Sequence, residues 1–259
     1  MSKDDVLVHR DGAVGWITLN RPKKRNAQGV DFTQTLLAAL DEVENDPDID
    51  VAVLTGAGSV FAGGGDLKEI MSVDQQDPEW EFELIRGYNK IVSRLYYFDR
   101  PIIAAVNGPA VGGGACLGMA CDFAIASDKA SYHFAFGRIG LAAADMGATF
   151  FLQRHLGAAR AAHLTMTGAT VDANEGKALG LFSQVVPGDQ LILETQKVAQ
   201  SIADQSRRAN TISKLSMRRA METNLDAALE YEAYLQAFAF GSKGHKQRLG
   251  QFLNPGKKG

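Results

Sequence analysis

This chain contains two glycine clusters, each of which directly follows a short apolar run. The first cluster lies between Phe61 and Ile70 (FAGGGDLKEI), and the second between Asn107 and Asp122 (NGPAVGGGACLGMACD). They follow the apolar runs Val51 to Thr55 and Ile102 to Val106. Each cluster is therefore predicted to lie where a buried strand passes into a helix, a place where backbone N–H groups lack partners.

The glycines have a chemical consequence as well as a structural one. Because glycine has no Cβ, a ligand can come within hydrogen-bond distance of the main chain. Two N–H groups directed at one point form an oxyanion hole, which stabilises the negative charge that develops on a carbonyl oxygen during acyl chemistry. The sequence therefore predicts an enzyme that acts on a carbonyl compound.

The order of apolar patterns predicts an α/β fold. Two apolar runs, Val6 to Arg10 and Ala13 to Leu19, are separated by Asp11-Gly12, and this predicts an opening β-hairpin. Further along, strands alternate with helices, which indicates parallel strand pairing. The predicted elements besides the runs already named are helices over Val30 to Asn45, Glu79 to Tyr97 and Gly113 to Ala120, and a strand over Phe123 to Ser127.

After Pro187 the pattern changes to helices alone. Apolar residues recur at helical spacing over Leu191 to Ala203, Ala209 to Met221 and Leu225 to Phe240. The sequence therefore predicts a core over residues 1–190 and a helical region over residues 191–259. These helices carry more apolar residues than a thin layer could bury, so subunit contacts are expected to cover some of them.

Composition excludes several classes of function. The 259 residues are 46% hydrophobic, enough for one sizeable core, and the net charge of -3 gives no field that would attract nucleic acid. Neither a secretory signal nor a membrane span is recognisable, so a cytoplasmic protein is expected. Cys116 and Cys121, five positions apart on one predicted helix, fit neither a disulfide framework nor a zinc site. No metal is predicted, and both thiols are expected to be buried.

Four ordered segments make the chain resemble the crotonase (enoyl-CoA hydratase/isomerase) family. They are ITLNRPKKRNA at Ile17 to Ala27, VLTGAGSVFAGGGDLKEI at Val53 to Ile70, PIIAAVNGPAVGGGACLGMACDFAIAS at Pro101 to Ser127, and RIGL at Arg138 to Leu141. The resemblance implies a spiral of ββα units and C-terminal helices that form trimers, often paired into hexamers. It also implies a coenzyme A thioester as substrate, with no cofactor beyond the coenzyme A that the substrate carries.

Individual site residues follow from the resemblance. The backbone N–H groups of Gly65 and Gly113 are implied as the oxyanion-hole donors. Arg25, Ala27 and Lys68 are implied to approach the nucleotide and the pantetheine arm of coenzyme A, and a lysine is a point charge suited to phosphate. The alternatives are that the glycines only permit tight turns and that Lys68 is only solvated.

Two departures from the family pattern bear on the reaction. Hydratases of the family use two glutamates to position and activate water, and those places are taken here by Cys116 and Phe136. Neither a buried thiol nor a phenyl ring transfers protons well at neutral pH. The sequence therefore disfavours ordinary hydration of an enoyl-CoA.

Asp145, in the segment RIGLAAADMGATFFLQR, is the candidate catalytic carboxylate. Family members that shift a double bond carry their acid in this turn, and so does 4-chlorobenzoyl-CoA dehalogenase. The chain has one more residue before this position, at Ala142 to Ala144, than is usual. Within a helix the extra residue would turn the carboxylate by about 100°, whereas a loop would absorb it. The alternative is that Asp145 caps a helix that begins at Met146.

The resemblance leaves several reactions open. A dehalogenase of this type needs a histidine on the helix over Glu79 to Tyr97, which has none. We therefore predict a Δ3,Δ2-enoyl-CoA isomerase-like enzyme with Asp145 as acid and base, its pKa raised by the burial that Phe136 and Met146 provide. The alternatives are an acyl-CoA hydrolase or dehalogenase, an enoyl-CoA hydratase, and a non-catalytic acyl-CoA-binding protein. The acyl pocket is expected to be shaped by residues 71–83, whose sequence does not identify the acyl group.

Overall fold

The computed structural model describes residues 3–73 and 77–253, which form two β-sheets with helices packed around them. The strands are β1 Val6–Asp11, β2 Val14–Leu19, β3 Val51–Gly56, β4 Ile102–Val106, β5 Pro109–Val111, β6 Phe123–Ser127, β7 Ser131–His133, β8 Thr170–Asp172 and β9 Gln184–Val186. The helices are α1 Phe32–Asn45, α2 Leu67–Met71, α3 Pro78–Tyr96, α4 Gly113–Ala120, α5 Ala148–Leu156, α6 Ala158–Thr167, α7 Ala173–Leu179, α8 Leu191–Ala203, α9 Arg207–Ala220, α10 Leu225–Phe240 and α11 Lys243–Leu253.

The larger sheet contains six strands in the order β1-β2-β3-β4-β6-β9. Its first pair is antiparallel, with Val6 opposite Leu19, and Gly12 in the connecting turn has a φ of 60°. All the other neighbours in this sheet are parallel. The predicted hairpin and the predicted parallel pairing are both confirmed.

A second sheet of three short strands, in the order β5-β7-β8, lies beyond the carboxyl end of β4. It is joined to the first glycine cluster by a bridge between Ala62 and Ala110. Strand β5 lies within the second glycine cluster and leads directly into α4, so this small sheet fixes the position at which α4 begins.

Helices cover both faces of the larger sheet. On one face α1 buries Phe32, Leu36 and Leu40, as its apolar spacing predicts, although it begins two residues after the predicted start at Val30. On the other face α8 buries Leu191 and other apolar residues against the strands. Burial on both faces explains why the central strands read as continuous apolar runs.

The C-terminal helices agree with the sequence pattern except at two points. Helix α9 begins two residues before its predicted start at Ala209, because the Ser206 side chain caps it by accepting from the Ala209 N–H at 3.3 Å. Helix α11 was not predicted. Residues 254–259 of the predicted helical region lie outside the described residues, as do residues 74–76 of the stretch expected to shape the acyl pocket. The division at residue 190 stays a prediction.

Helix α9 is attached to the core through buried charges. The Lys214 ammonium donates to the Arg100 carbonyl at 2.9 Å and lies 3.0 Å from the Asp122 carboxylate. The Arg218 guanidinium donates to the same carboxylate at 2.8 Å. Asp122 is the last residue of the second glycine cluster and lies just after α4. These contacts therefore attach α9 to the carboxyl end of α4.

Across residues 3–73 and 77–253, the helices are too short or too polar for any of them to cross a membrane.

Candidate active site

The two glycine clusters meet, as predicted, because each follows a neighbouring parallel strand. Gly64 has a φ of 81°, and a Cβ on it would lie 2.7 Å from the Val111 carbonyl oxygen and 4.0 Å from the Gly113 nitrogen. A side chain at this position would hold the clusters apart. The loop after β3 therefore lies against the start of α4.

Both glycines predicted as donors keep a free backbone N–H at this junction. Gly113 is the first residue of α4, where an N–H has no partner within the helix. Gly65 precedes α2, and its carbonyl accepts from the Leu67 N–H at 2.9 Å. Within the described part of the chain, neither glycine N–H donates to another backbone group.

Gly65 and Gly113 line a cavity of about 340 Å³, a size typical of small-molecule sites. Asp145 lies on the same cavity, so all three residues predicted to be catalytic are brought together. Much of the remaining lining is apolar, with side chains from α2, α3, β5 and the segment after β7: Ile70, Ile85, Val111, Phe136, Ile139 and Leu141.

Asp145 lies in the loop before α5 and does not cap that helix. The helix begins at Ala148 with Gly147 as its N-cap and has no side-chain cap, so the predicted helix start at Met146 is wrong. Met146 has a φ of 45° and Gly147 one of 77°, values incompatible with a right-handed helical turn. The alternative role of Asp145 as a helix cap is thereby excluded, and the extra residue at 142–144 lies in the loop.

One oxygen of the Asp145 carboxylate has no hydrogen-bond partner. This Oδ1 atom is buried and unpaired among the described residues. Burial raises the pKa of Asp145, opposed by a hydrogen bond from the Met146 backbone to the carboxylate. This is the direction predicted from the expected neighbours, since Phe136 lines the cavity and Met146 is buried. A buried carboxylate oxygen without a partner is costly to maintain and is typical of functional sites.

Cys116, at one of the positions where hydratases carry glutamate, is fully buried and does not line the cavity. Its thiol lies 3.7 Å from the Asp145 carbonyl oxygen. Burial and the nearby Asp145 carboxylate raise the pKa of the Cys116 thiol, which keeps it protonated. Cys121 is also buried. The expectation that both thiols are buried is confirmed.

The Cys116→Ala variant is expected to keep its activity because the thiol is neutral and lies outside the cavity. Loss of one buried sulfur atom should cost about 1 kcal/mol of stability. Initial rates and thermal unfolding of the variant check this expectation. A loss of turnover in a folded Cys116→Ala protein, with Asp145→Asn still active, would move the chemistry from Asp145 to Cys116.

Three further polar residues, Gln28, Tyr88 and Arg138, line the cavity and were not predicted as site residues. The Gln28 side chain is buried, and its Nε2 atom lacks a partner among the described residues. The Tyr88 hydroxyl donates to the carbonyls of Gln28 and Gly29 at 3.2 and 3.1 Å. The Arg138 guanidinium donates to the Gly168 carbonyl at 3.2 Å. A single glutamine in a loop carries no periodic signal, and the helical spacing of Tyr88 with its apolar neighbours indicates only a core position.

The three residues implied for coenzyme A binding do not line the cavity. Arg25 is exposed, and its carbonyl accepts from the Gly63 N–H at 2.9 Å. Ala27 is partly buried one residue before Gln28, and Lys68 is exposed on α2 next to Leu67. Each of them therefore adjoins a residue that lines the cavity, and their role in binding coenzyme A stays a prediction.

An ion-pair cluster fixes the loop that carries these residues. The Arg21 guanidinium donates to Asp66 at 3.2 Å and to Glu69 at 2.8 Å, and Glu69 also accepts from the Val30 N–H at 3.0 Å. Burial disfavours the charge of Glu69, but hydrogen bonds from Arg21 and Lys24 outweigh it and lower its pKa to about 2. The cluster holds the loop against α2.

The described residues include neither a group of three or more potential metal ligands nor a histidine on the cavity. The polar groups at the cavity are thus backbone N–H groups and the side chains of Asp145, Gln28, Tyr88 and Arg138.

Comparison with known proteins agrees with this architecture. The family model for enoyl-CoA hydratase/isomerase matches residues 9–258. A probable enoyl-CoA hydratase of Mycobacterium bovis is 35% identical over 98% of this chain and 96% of its own length. A short-chain-enoyl-CoA hydratase of Clostridium acetobutylicum is 31% identical over 99% of this chain and 97% of its own.

Solved structures resemble the fold closely. The crystal structure of an enoyl-CoA hydratase from Bacillus anthracis has a TM-score of 0.92 at 28% identity, covering 97% of this chain and 96% of that one. The fold is thus the crotonase fold, in which an α/β core is followed by a helical C-terminal region. The chain belongs to the enoyl-CoA hydratase/isomerase family.

Proposed function

We propose that this enzyme moves a carbon–carbon double bond of an acyl-CoA thioester from the 3,4 to the 2,3 position. Asp145 removes a proton from C2, and the electron pair of that C–H bond moves towards the thioester oxygen to form an enolate. Asp145 then returns the proton to C4 while the new double bond forms between C2 and C3. The observation that carries the proposal is the buried, unpaired Asp145 Oδ1 on the cavity that Gly65 and Gly113 also line.

The enolate oxygen is assigned to the N–H groups of Gly65 and Gly113. Both groups lack backbone partners within the described ranges, and both glycines belong to the same cavity. Preorganised donors of this kind stabilise charge that develops in the transition state without having to reorganise. The enolate would therefore form at a lower free energy here than in water.

The environment of Asp145 suits a group that both accepts and returns a proton. Its pKa is raised by burial, and a general acid–base group is most effective when its pKa approaches the working pH. One carboxylate is enough for this reaction because the same proton leaves C2 and arrives at C4. No second acid is required.

The residues around the cavity support binding of both parts of an acyl-CoA. The acyl chain would contact the apolar lining that includes Ile70, Ile85 and Leu141. Arg25, Ala27 and Lys68 remain the proposed contacts of the coenzyme A part, since each adjoins a lining residue and two of them are exposed cations.

Hydration of a 2-enoyl-CoA is the second candidate, favoured by the names of the relatives. The two glutamate positions of hydratases hold Cys116 and Phe136 here, so Asp145 would have to activate water alone. Among the described lining residues it is the one carboxylate. Hydration thus depends on the same side chain as isomerisation.

One absorbance assay separates these candidates. A 3-enoyl-CoA should gain the absorbance of a conjugated thioester if the enzyme is an isomerase, whereas a 2-enoyl-CoA should lose it if the enzyme is a hydratase. Release of free coenzyme A thiol in either assay would indicate a hydrolase. If neither substrate changes while both bind, the chain is an acyl-CoA-binding protein and the proposal is wrong.

Self-association is expected from the C-terminal helices. Helix α10 has no buried residue among those described, and its exposed apolar side chains include Leu229, Tyr234 and Phe238. Contiguous apolar surface of this kind marks a subunit interface. We expect light scattering at micromolar concentration to give a trimer or a hexamer. A monomer of about the chain mass of 27.8 kDa would contradict this expectation.

A further inference from the structure

Gln28 presents a buried hydrogen-bond donor that the protein itself leaves unused. Its side chain is 1% exposed, and its Nε2 atom has no partner among the described residues. Most buried polar groups in native proteins are paired, so an exception on a cavity indicates a partner supplied by the ligand. Gln28 lines the same cavity as Asp145.

The backbone of Gln28 lies directly beside the first proposed enolate donor. Gln28 and Gly65 form a parallel β-bridge. The Gln28 N–H donates to the Gly64 carbonyl at 2.7 Å, and the Gln28 carbonyl accepts from the Asp66 N–H at 2.8 Å. The two hydrogen bonds of this bridge thus involve the Gly64 carbonyl and the Asp66 N–H, and neither of them uses the Gly65 N–H.

The side chain of Gln28 reaches the second proposed donor. A Cβ built on Gly113 would lie 2.8 Å from Gln28 Oε1 and 3.4 Å from Gln28 Nε2. The amide therefore occupies the space beside Gly113 that a larger residue at that position would fill. Gln28 connects the two glycines, its backbone beside one and its amide beside the other.

Tyr88 fixes the backbone segment that contains Gln28. Its hydroxyl donates to the carbonyls of both Gln28 and Gly29, and Tyr88 is itself buried on α3. The segment that carries the amide is thus fixed to a helix as well as to the glycine loop. A donor held in this way is preorganised.

We propose that Gln28 is a further catalytic residue, whose Nε2 group donates a third hydrogen bond to the thioester oxygen as that oxygen becomes an enolate. The inference rests on the proposed function, because it concerns the same enolate. Gln28 exchanges no proton with the substrate. Its amide stabilises the charge that appears when Asp145 removes the C2 proton.

The test is the rate at which but-3-enoyl-CoA becomes the conjugated but-2-enoyl-CoA, followed by absorbance. Gln28→Met keeps the length of the side chain but removes the donor, and isomerisation should slow by about 10- to 100-fold, the range expected for one hydrogen bond to a charged group. Affinity for butanoyl-CoA, measured by calorimetry, should fall much less because the donor acts mainly on the charged state. Gln34→Met, on the exposed side of α1, is the matched control and should isomerise the substrate at the wild-type rate.

Three outcomes would overturn the inference. Isomerisation at the wild-type rate in a folded Gln28→Met protein would show that the amide does not act on the enolate. Parallel losses of isomerisation rate and of butanoyl-CoA affinity would show that Gln28 only binds the ground state. A wild-type enzyme that binds but-3-enoyl-CoA and does not isomerise it would reject the proposed function, and the donor role with it. Gln28→Leu, checked by thermal unfolding, replaces Gln28→Met if that variant does not fold.

Discussion

The Asp145→Asn variant is expected to lose at least about 10² in the rate of isomerisation, the range usual for removal of a general base. Asparagine has nearly the same shape as aspartate but cannot accept the C2 proton at neutral pH. Binding of a saturated acyl-CoA should persist, because the apolar lining and the glycine N–H groups are unchanged. Initial rates with a 3-enoyl-CoA, together with calorimetry of butanoyl-CoA binding, measure the two effects separately.

The location of Asp145 makes this substitution easy to interpret. Because α5 begins at Ala148 with Gly147 as its N-cap, a change at Asp145 removes no side-chain helix cap. A loss of rate therefore cannot be attributed to fraying of the helix. A folded variant with activity within about tenfold of wild type would lie outside the range for a lost general base and would assign the chemistry elsewhere.

The same carboxylate links stability and activity to pH in opposite directions. Burial raises the pKa of Asp145 above its ordinary value. Between the ordinary and the raised values the folded protein binds more protons than the unfolded chain, so this group lowers stability as the pH rises through that window. Activity should rise as the pH increases through the raised pKa, because the ionised form of Asp145 is the base. Asparagine carries no charge, so Asp145→Asn avoids the free-energy cost of a buried carboxylate. This variant should unfold at pH 7 at the same temperature as wild type or higher.

The main features of the fold could be predicted because each has a signal within one stretch of sequence. The hairpin over residues 6–19 has Asp11-Gly12 between two apolar runs, the strands before each glycine cluster are continuous apolar runs, and the helix over Leu225–Phe240 is long and rich in apolar residues. The small sheet of β5, β7 and β8 has strands of only three residues, too short to show alternation. Helix α11 is mostly polar with glycines at 244 and 250, so neither its periodicity nor its composition indicates a helix.

The candidate site could be predicted in part for a similar reason. Gly65 and Gly113 belong to clusters that follow neighbouring strands, and parallel pairing alone brings such segments together. Asp145 was identified only through the resemblance, and the loop that absorbs the extra residue required φ values that the sequence does not reveal. Gln28 depends on a bridge to Gly65 and on space left by Gly113. Such long-range contacts leave no local signal.

Gly113 can be tested with two substitutions that differ in one hydrogen-bond donor. A Cβ at this position would lie 2.5 Å from Met146 Sδ and 2.8 Å from Gln28 Oε1. Gly113→Ala and Gly113→Pro both add this Cβ, but alanine keeps the backbone N–H, whereas proline replaces its hydrogen with the ring Cδ. Proline is also tolerated in the first turn of a helix, where no intrahelical bond is lost. When both variants still bind butanoyl-CoA, so that the proline ring does not block the cavity, the ratio of their rates reports on the N–H group.

We expect Gly113→Pro to be about 10²- to 10³-fold slower than Gly113→Ala, the usual effect of losing one donor from an oxyanion hole. Circular dichroism of both variants must match the wild type, and butanoyl-CoA binding shows whether the cavity survives. Met146 is a flexible side chain that can move away from the added Cβ, so Gly113→Ala should retain measurable turnover. Equal rates for the two folded variants would mean that the Gly113 N–H does not contact the reacting oxygen, and the glycine would then be required only for the close approach of Gln28 and Met146.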